Sequence, residues 1–480
     1  MVARSCVTPW YCILCMKNSE HGIPVTIAYI GGGSLNWAPK LMADLAQDTR
    51  LKADVRLYDI KKEKAEQNAR MGDEFAAVSE GTPAKYTVVD SLQQALTEAD
   101  VVVVSILPGQ FADMAQDIEI PASYGIVQAV GDTVGPGGFV RALRAIPMMA
   151  EIGKAIGEYA PHAFVCNLTN PMSVLTGALY QAFPQIKCWG ECHEVTKLRK
   201  QVAWIANQKT GSDRWTHRDV RVNVLGINHF TFVDQIALDG RDMLPAYRKF
   251  AQAHANSGWV AQEPDPNDEF ERYFGDRSRV KFDMLRRFGI PAAAGDRHLV
   301  EFVPQNMYLA DPNGWGFGLT PVDFRIRHQE ERRIAALALA NGENPPEAAR
   351  SDEALVDQIA ALMGQGTYIS NVNLPNRGQM YGLPLGAIVE TNATFSGLGV
   401  TPMIAGALPA DLNAIVADHV NRQNALLQAV ADKNYAALFN LFRTDPLVAP
   451  LDDARARALY RDMVTATAAY LPQELIKEAA

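Results

Sequence analysis

The chain has 480 residues, 48% of them hydrophobic and 21% charged, a composition that excludes the disordered and fibrous classes and provides for two packed domains. Its formal net charge is −9 and no run of Lys or Arg is long enough to follow a phosphate backbone, which argues against nucleic acid as a partner. No stretch approaches the roughly 18 to 20 apolar residues that span a bilayer, and six cysteines are too sparse for a disulfide framework, so a cytoplasmic protein with no membrane partner is expected.

Residues 1–22 lack a long apolar run and a small-residue cleavage site, and read as an N-terminal extension outside the fold. The next segment, PVTIAYIGGGSLNWAPKLMADLAQD, predicts a buried strand over 25–30, a tight turn at 31–34 that runs on through Leu35, and a helix over 38–46. Gly31 and Gly33 would let the backbone of this turn, with Ser34, approach a pyrophosphate seated on the helix N-terminus. The third glycine of the dinucleotide fingerprint is missing, and a glycine pair also suits an ordinary turn. The second strand, ADVRLYDI, ends in Asp59, 26 residues after Gly33, where the fingerprint calls for an acid to hold the ribose hydroxyls. An acid there repels a 2′-phosphate and favours NAD over NADP.

The apolar run ADVVVVSILPG reads as a strand buried on both faces of a parallel sheet, followed by a loop with Asp113 and Asp117. Then come a glycine-rich loop carrying Asp132, a long helix, and the segment HAFVCNLTNPMSVLTGALY, again strand, loop and helix. The alternation predicts an α/β, Rossmann-like, doubly wound parallel sheet over residues 23–205. In LTNP, Pro171 suits a first helical position with Asn170 as its cap, and Asn170 equally suits a pocket-facing amide at the carboxyl edge of the sheet. After residue 205 the rhythm changes to strand-rich DVRVNVLGINHFTFVDQIALDGRDMLP, with LDGRD as a hairpin turn, and then to amphipathic helices. A mixed α+β domain is expected over residues 206–480.

The stretch WGECHEVTKLRK places Cys192, His193 and Glu194 at a strand end on the ligand edge of the sheet. With His229 of GINHF, 37 residues on, Cys192 makes a thiolate–imidazole pair suited to a first-row divalent ion, with positions left open for water and substrate oxygens. A Cys192–His193 nucleophile and base is disfavoured, because adjacent side chains of a strand point opposite ways.

Together, the turn at 31–34, GPGG at 135–138, TNP at 169–171, CHEV at 192–195, GINH at 226–229, GD at 295–296 and LPNRG at 374–378 resemble the NAD- and divalent-metal-dependent glycoside hydrolases of family 4, a group related to the lactate and malate dehydrogenases. The resemblance implies that Cys192 and His229 hold Mn²⁺ or a similar ion and that Asn170 contacts the sugar. It implies a redox-assisted elimination: oxidation at C3 by NAD, removal of the C2 proton, loss of the aglycone, addition of water and return of the hydride. Asp296 is the expected base or a metal-associated carboxylate, and Asp132, ahead of Asp117, the acid at the leaving group. The CHEV version of the motif looks like that of the α-galacturonidases. It makes an α-linked galacturonide from pectin the expected substrate, read by His193, Glu194 and Asn228, with Arg297, His298 or Arg377 as the cation for the uronate carboxylate. A homodimer or homotetramer is implied as well. The alternatives are another family 4 α-glycosidase and, from a different class, an NAD-dependent 2-hydroxy-acid dehydrogenase, which would need no metal.

Overall fold

The structure, a computed structural model, describes residues 22–479 apart from 266, 347 and 348; the expected extension therefore lies, except for Gly22, outside the described residues. Among the described residues twelve strands form two sheets. The first six, β1 (Ile23–Ile30), β2 (Leu51–Tyr58), β3 (Lys85–Val88), β4 (Val101–Val104), β5 (Phe164–Asn167) and β6 (Lys187–Gly190), lie parallel in the order β3-β2-β1-β4-β5-β6. This is the doubly wound order with its reversal between β1 and β4. The Val-Val-Val-Val run of β4 is buried throughout, as a strand covered by helices on both faces must be.

The smaller sheet joins β7 (Val220–Ile227), β8 (Phe230–Leu238) and β9 (Arg241–Asp242), all antiparallel. The expected LDGRD turn links β8 to β9, with Asp239 and Gly240 both at positive φ, the geometry favoured in two-residue hairpins. The last strands, β10 (Tyr368–Pro375), β11 (Ile388–Ser396) and β12 (Gly399–Pro402), do not build a sheet of their own. They extend the first one, β10 pairing antiparallel with β6 and carrying β11 and β12 outward to make nine strands. The sheet thus runs across the division expected at residues 205 and 206. One apolar core likewise packs Ala28, Val104 and Leu143 from the first half with Phe302, Leu412 and Leu459 from the second.

The parallel register aligns Ile30 with Tyr58 and Val104, and Asn167 with Val104 and Gly190. The loops that begin at Gly31, Asp59, Ser105, Leu168 and Glu191 therefore leave the sheet at one edge, where ligands of such sheets bind. No helix among the described residues is long and apolar enough to cross a membrane.

Candidate active site

A cavity of about 2410 Å³ opens along that edge and is lined by residues from both halves of the chain. At one end lies the glycine turn. Gly31 has φ +89°, and a Cβ there would come within 2.1 Å of the Ser105 carbonyl oxygen, so β1 and β4 can be this close only with glycine between them. Asp59 follows β2 directly: its carboxylate accepts the Gly33 N–H at 2.9 Å and the Lys61 N–H at 2.8 Å, pinning turn and strand end together. Gly31, Gly33, Ser34, Leu35 and Asp59 all line the cavity, and the helix Trp37–Ala46 starts one residue before the predicted position.

At the other end Asp132, His229 and His298 bring one ligand atom each to within 4.8 Å of one another. The local chain explains the convergence. His229 occupies the two-residue connection between β7 and β8 at φ +65°, a conformation unfavourable for a residue with a Cβ. The loop bearing Asp132 is fastened by Glu301, whose carboxylate accepts the N–H groups of Val130 at 2.7 Å and Gly131 at 3.0 Å. Arg297 fastens it again, donating to the Ala129 carbonyl at 2.9 Å. Thr133 connects the two ligands. Its hydroxyl donates to Asp132 Oδ1 at 2.7 Å, and having one proton it must accept at 2.8 Å from His229 Nδ1–H. That fixes the tautomer and leaves a lone pair on His229 Nε2. The His298 ring lies against His229 with centroids 3.8 Å apart.

Electrostatics agree with this arrangement. Burial opposes ionisation of Asp132, a positive charge on His229 or His298 would favour it, and with those rings neutral Arg141 and the hydrogen bond from Thr133 are what favour the carboxylate. Burial drives both imidazoles down, with His229 adding to the effect on His298, so both rings are neutral and present lone pairs. An ionised carboxylate beside two neutral imidazoles is a donor set for a borderline-to-hard divalent cation such as Mn²⁺. Asn170 borders the group: its Nδ2 lies 3.5 Å from Asp132 Oδ2, and its Oδ1 is buried with no partner. It does not cap the next helix, which has Pro171 at its cap and begins at Met172. Of the two readings of Asn170, the cavity-facing amide is the one realised.

Several expected residues are placed differently. Asp117 forms a fully buried bidentate pair with Arg144, at 2.8 and 2.6 Å, and does not line the cavity. Asp296 also lies outside the lining: its carboxylate accepts the N–H groups of Val280 and Lys281, each at 3.0 Å, at the start of the helix Arg279–Phe288. Burial and the nearby Asp276 push it up to about 8. Arg377 is exposed on the loop after β10 and away from the cavity. Cys192 is buried outside the converging group, and Asn228 is buried beneath the lining, with Nδ2 3.4 Å from Glu390 Oε2 and its side chain also reaching the Cys192 sulfur. His193, against the Trp37 ring, and Glu194 do line the cavity; Glu194 Oε2 accepts the Gly295 N–H at 2.8 Å and lies 3.2 Å from Lys197 Nζ. The sequence reading missed Thr133, Glu301 and Arg141 and gave His298 another role, since no local motif marks residues joined only by folding.

Such a fold, with its glycine turn and its carboxylate–imidazole group on one cavity, defines an α/β enzyme of the dinucleotide-binding type. Two family models match it, Family 4 glycosyl hydrolase over residues 26–208 and Family 4 glycosyl hydrolase C-terminal domain over residues 224–448. The chain belongs to glycoside hydrolase family 4 and is a glycosidase. It is 43% identical to an alpha-galacturonidase of Thermoanaerobacter italicus, over 95% of this chain and 99% of that one. A crystal structure from Bacillus subtilis is 42% identical with a TM-score of 0.87, covering 92% of this chain and all of the other. A 6-phospho-alpha-glucosidase from gut microorganisms, solved in complex with NAD and Mn²⁺, shares the fold at a TM-score of 0.77 and 19% identity, over 94% of this chain and 99% of that one.

Proposed function

We propose that this protein hydrolyses α-linked galacturonides, with NAD at the glycine turn and a divalent metal, Mn²⁺ or a close substitute, at the imidazole end of the cavity. The observation that carries the reading is that both ends open into one cavity on the ligand edge of the sheet. The 43% identity to an alpha-galacturonidase over nearly the whole chain supports the substrate class. When bound, the dinucleotide supplies reversible hydride transfer and the metal supplies Lewis acidity toward sugar oxygens.

The chain's own residues prepare that chemistry. Gly31 and Gly33 keep the turn free of side chains, so a pyrophosphate can approach the N-terminus of the helix Trp37–Ala46, with Asp59 on the same cavity wall for the ribose. His229 is the residue common to the expected pair with Cys192 and to the group with Asp132 and His298, and we assign it as the central metal ligand. Thr133 aims its ring, and Asp132 supplies the compensating negative charge. With Asp132 held ionised, a ligand role suits it better than that of a proton donor. Asn170 offers an unpaired amide oxygen to a sugar hydroxyl, and Arg141 steadies that loop by donating to the Asn170 carbonyl at 3.1 Å. His193 and Glu194 border the sugar end and serve specificity.

A cytoplasmic homodimer or homotetramer acting on soluble pectin fragments, with no nucleic-acid or membrane partner, completes the proposal; the free cysteines Cys166, Cys188 and Cys192 are consistent with a reducing compartment. The test is release of galacturonate from an α-galacturonide with catalytic NAD and Mn²⁺. In heavy water the product should carry deuterium at C2. Stoichiometric build-up of NADH without glycoside cleavage would instead identify a 2-hydroxy-acid dehydrogenase.

A further inference from the structure

The cavity holds an arginine without an assigned partner. Arg325, on the helix Val322–Ala340, lines the cavity, and its Nε is buried with no hydrogen-bond partner. Among the described residues it forms no ion pair with a carboxylate. Its guanidinium carbon lies 5.2 Å from the centroid of the Phe274 ring, which also takes Arg297 at 4.9 Å. The residue is only partly buried, so its guanidinium stands on the cavity wall with N–H donors to offer a ligand that supplies the missing charge.

The neighbouring arginines are already committed. Arg297 donates to the carbonyls of Gly318 and Ala129 and to Thr320, and Arg141 to the carbonyl of Asn170. Arg332, seven residues further along the same helix and so about 10 Å away, donates to Asn36 Oδ1 beside the glycine turn. The helix therefore sets Arg332 at the dinucleotide end, while Arg325 shares the field of Arg297, Asp132 and Arg141 at the metal end.

We propose that Arg325 is the specificity-determining residue that receives the carboxylate of the uronate, its planar fork held in orientation by Phe274. This rests on the galacturonide reading above. A guanidinium matches a carboxylate with two parallel N–H donors, a match that neither a neutral sugar nor a methyl ester reproduces. Arg297 and Arg141 reinforce the positive field around it without turning from their own acceptors.

The experiment compares the NAD- and Mn²⁺-loaded wild type with Arg325→Met and Arg325→Lys on an α-galacturonide, on its methyl ester and on the matching α-galactoside. For Arg325→Met, KM for the acid should rise about 10- to 100-fold, the range of a charge-assisted hydrogen-bonded pair. The change on the ester and the galactoside should be several-fold smaller, so that the preference for the acid collapses, and Arg325→Lys should recover part of it. Loss of a partly buried cation that makes no ion pair should leave the unfolding temperature unchanged or higher. Equal losses on acid and ester, or a raised KM for NAD at an unchanged preference, would overturn the assignment. If the wild type cleaves no galacturonide, the proposed function fails. The assignment is then judged by calorimetry with free galacturonate and galactose: wild-type selectivity for the acid that Arg325→Met abolishes would uphold it, and no selectivity would end it.

Discussion

Replacing Thr133 with Val tests the logic of the metal end most directly, because it removes one hydroxyl at nearly constant shape. That hydroxyl links Asp132 Oδ1 at 2.7 Å to His229 Nδ1 at 2.8 Å, and its loss leaves a buried imidazole N–H without an acceptor. Such an orphan costs about 1 to 3 kcal/mol of stability. It also frees the imidazole to exchange tautomers and turn, and removing a partner that orients a metal-ligating histidine typically weakens metal binding about 10- to 100-fold. Calorimetric titration of the metal-free protein with Mn²⁺, alongside thermal unfolding, reads both quantities. Thr133→Ser retains the hydroxyl and should bind within a few-fold of wild type. The reasoning is refuted if Thr133→Val binds Mn²⁺ as tightly as wild type while His229→Ala does not. If the Ser variant falls as far as the Val variant, packing rather than the hydrogen bond is responsible.

Three further outcomes are expected. Asp117→Asn, which leaves Arg144 charged and buried, should cost about 3 to 5 kcal/mol in denaturant titrations, with Mn²⁺ affinity unchanged in the folded fraction. Asp296→Ala should lower stability by about 1 kcal/mol, as loss of a helix-terminus acceptor does, and reduce kcat by less than about tenfold. A loss of about a thousandfold at unchanged stability, beyond the usual upper range for a cap, would point to a base in the reaction. His419 donates from Nε2 to the Phe302 carbonyl at 2.8 Å and accepts from Arg422 at Nδ1, and burial together with Arg422 pulls it down to about 3. The folded state therefore resists a proton that the unfolded chain takes up near its ordinary value. Stability should be complete above about pH 6.5 and fall by up to roughly a factor of ten in the unfolding constant per unit as the pH drops toward 3. His419→Leu should flatten that slope, and identical urea midpoint slopes for the two proteins would contradict the assignment.

What could be read from the sequence follows the range of the forces involved. The glycine turn, Asp59, the parallel strands and the LDGRD hairpin are local features written within a few dozen residues, and each is present where expected. The imidazole end of the cavity was half legible: His229 stands out because GINH interrupts a strand-rich segment. Asp132, Thr133 and His298 come from distant segments and meet only through tertiary packing. Asp117 shows how spacing misleads: the segment read as a loop is the helix Phe111–Ser123, which turns this acid onto the buried Arg144. The joining of β10 to β6 was invisible for another reason: a strand's periodicity reports which faces it buries and not which neighbour it pairs with.

That pairing bears on how the protein is made and how it moves. A chain ending near residue 205 would leave β6 as an unpaired edge of apolar strand, a template for association between unfinished copies. The first half is therefore expected to need β10, synthesised some 180 residues later, before its sheet is sealed, a long-range closure of the kind that slows folding. Once sealed, the sheet and its shared core tie the two halves together. The rim of the cavity is then set by segments of both halves, among them the helix that carries Arg325 and Arg332.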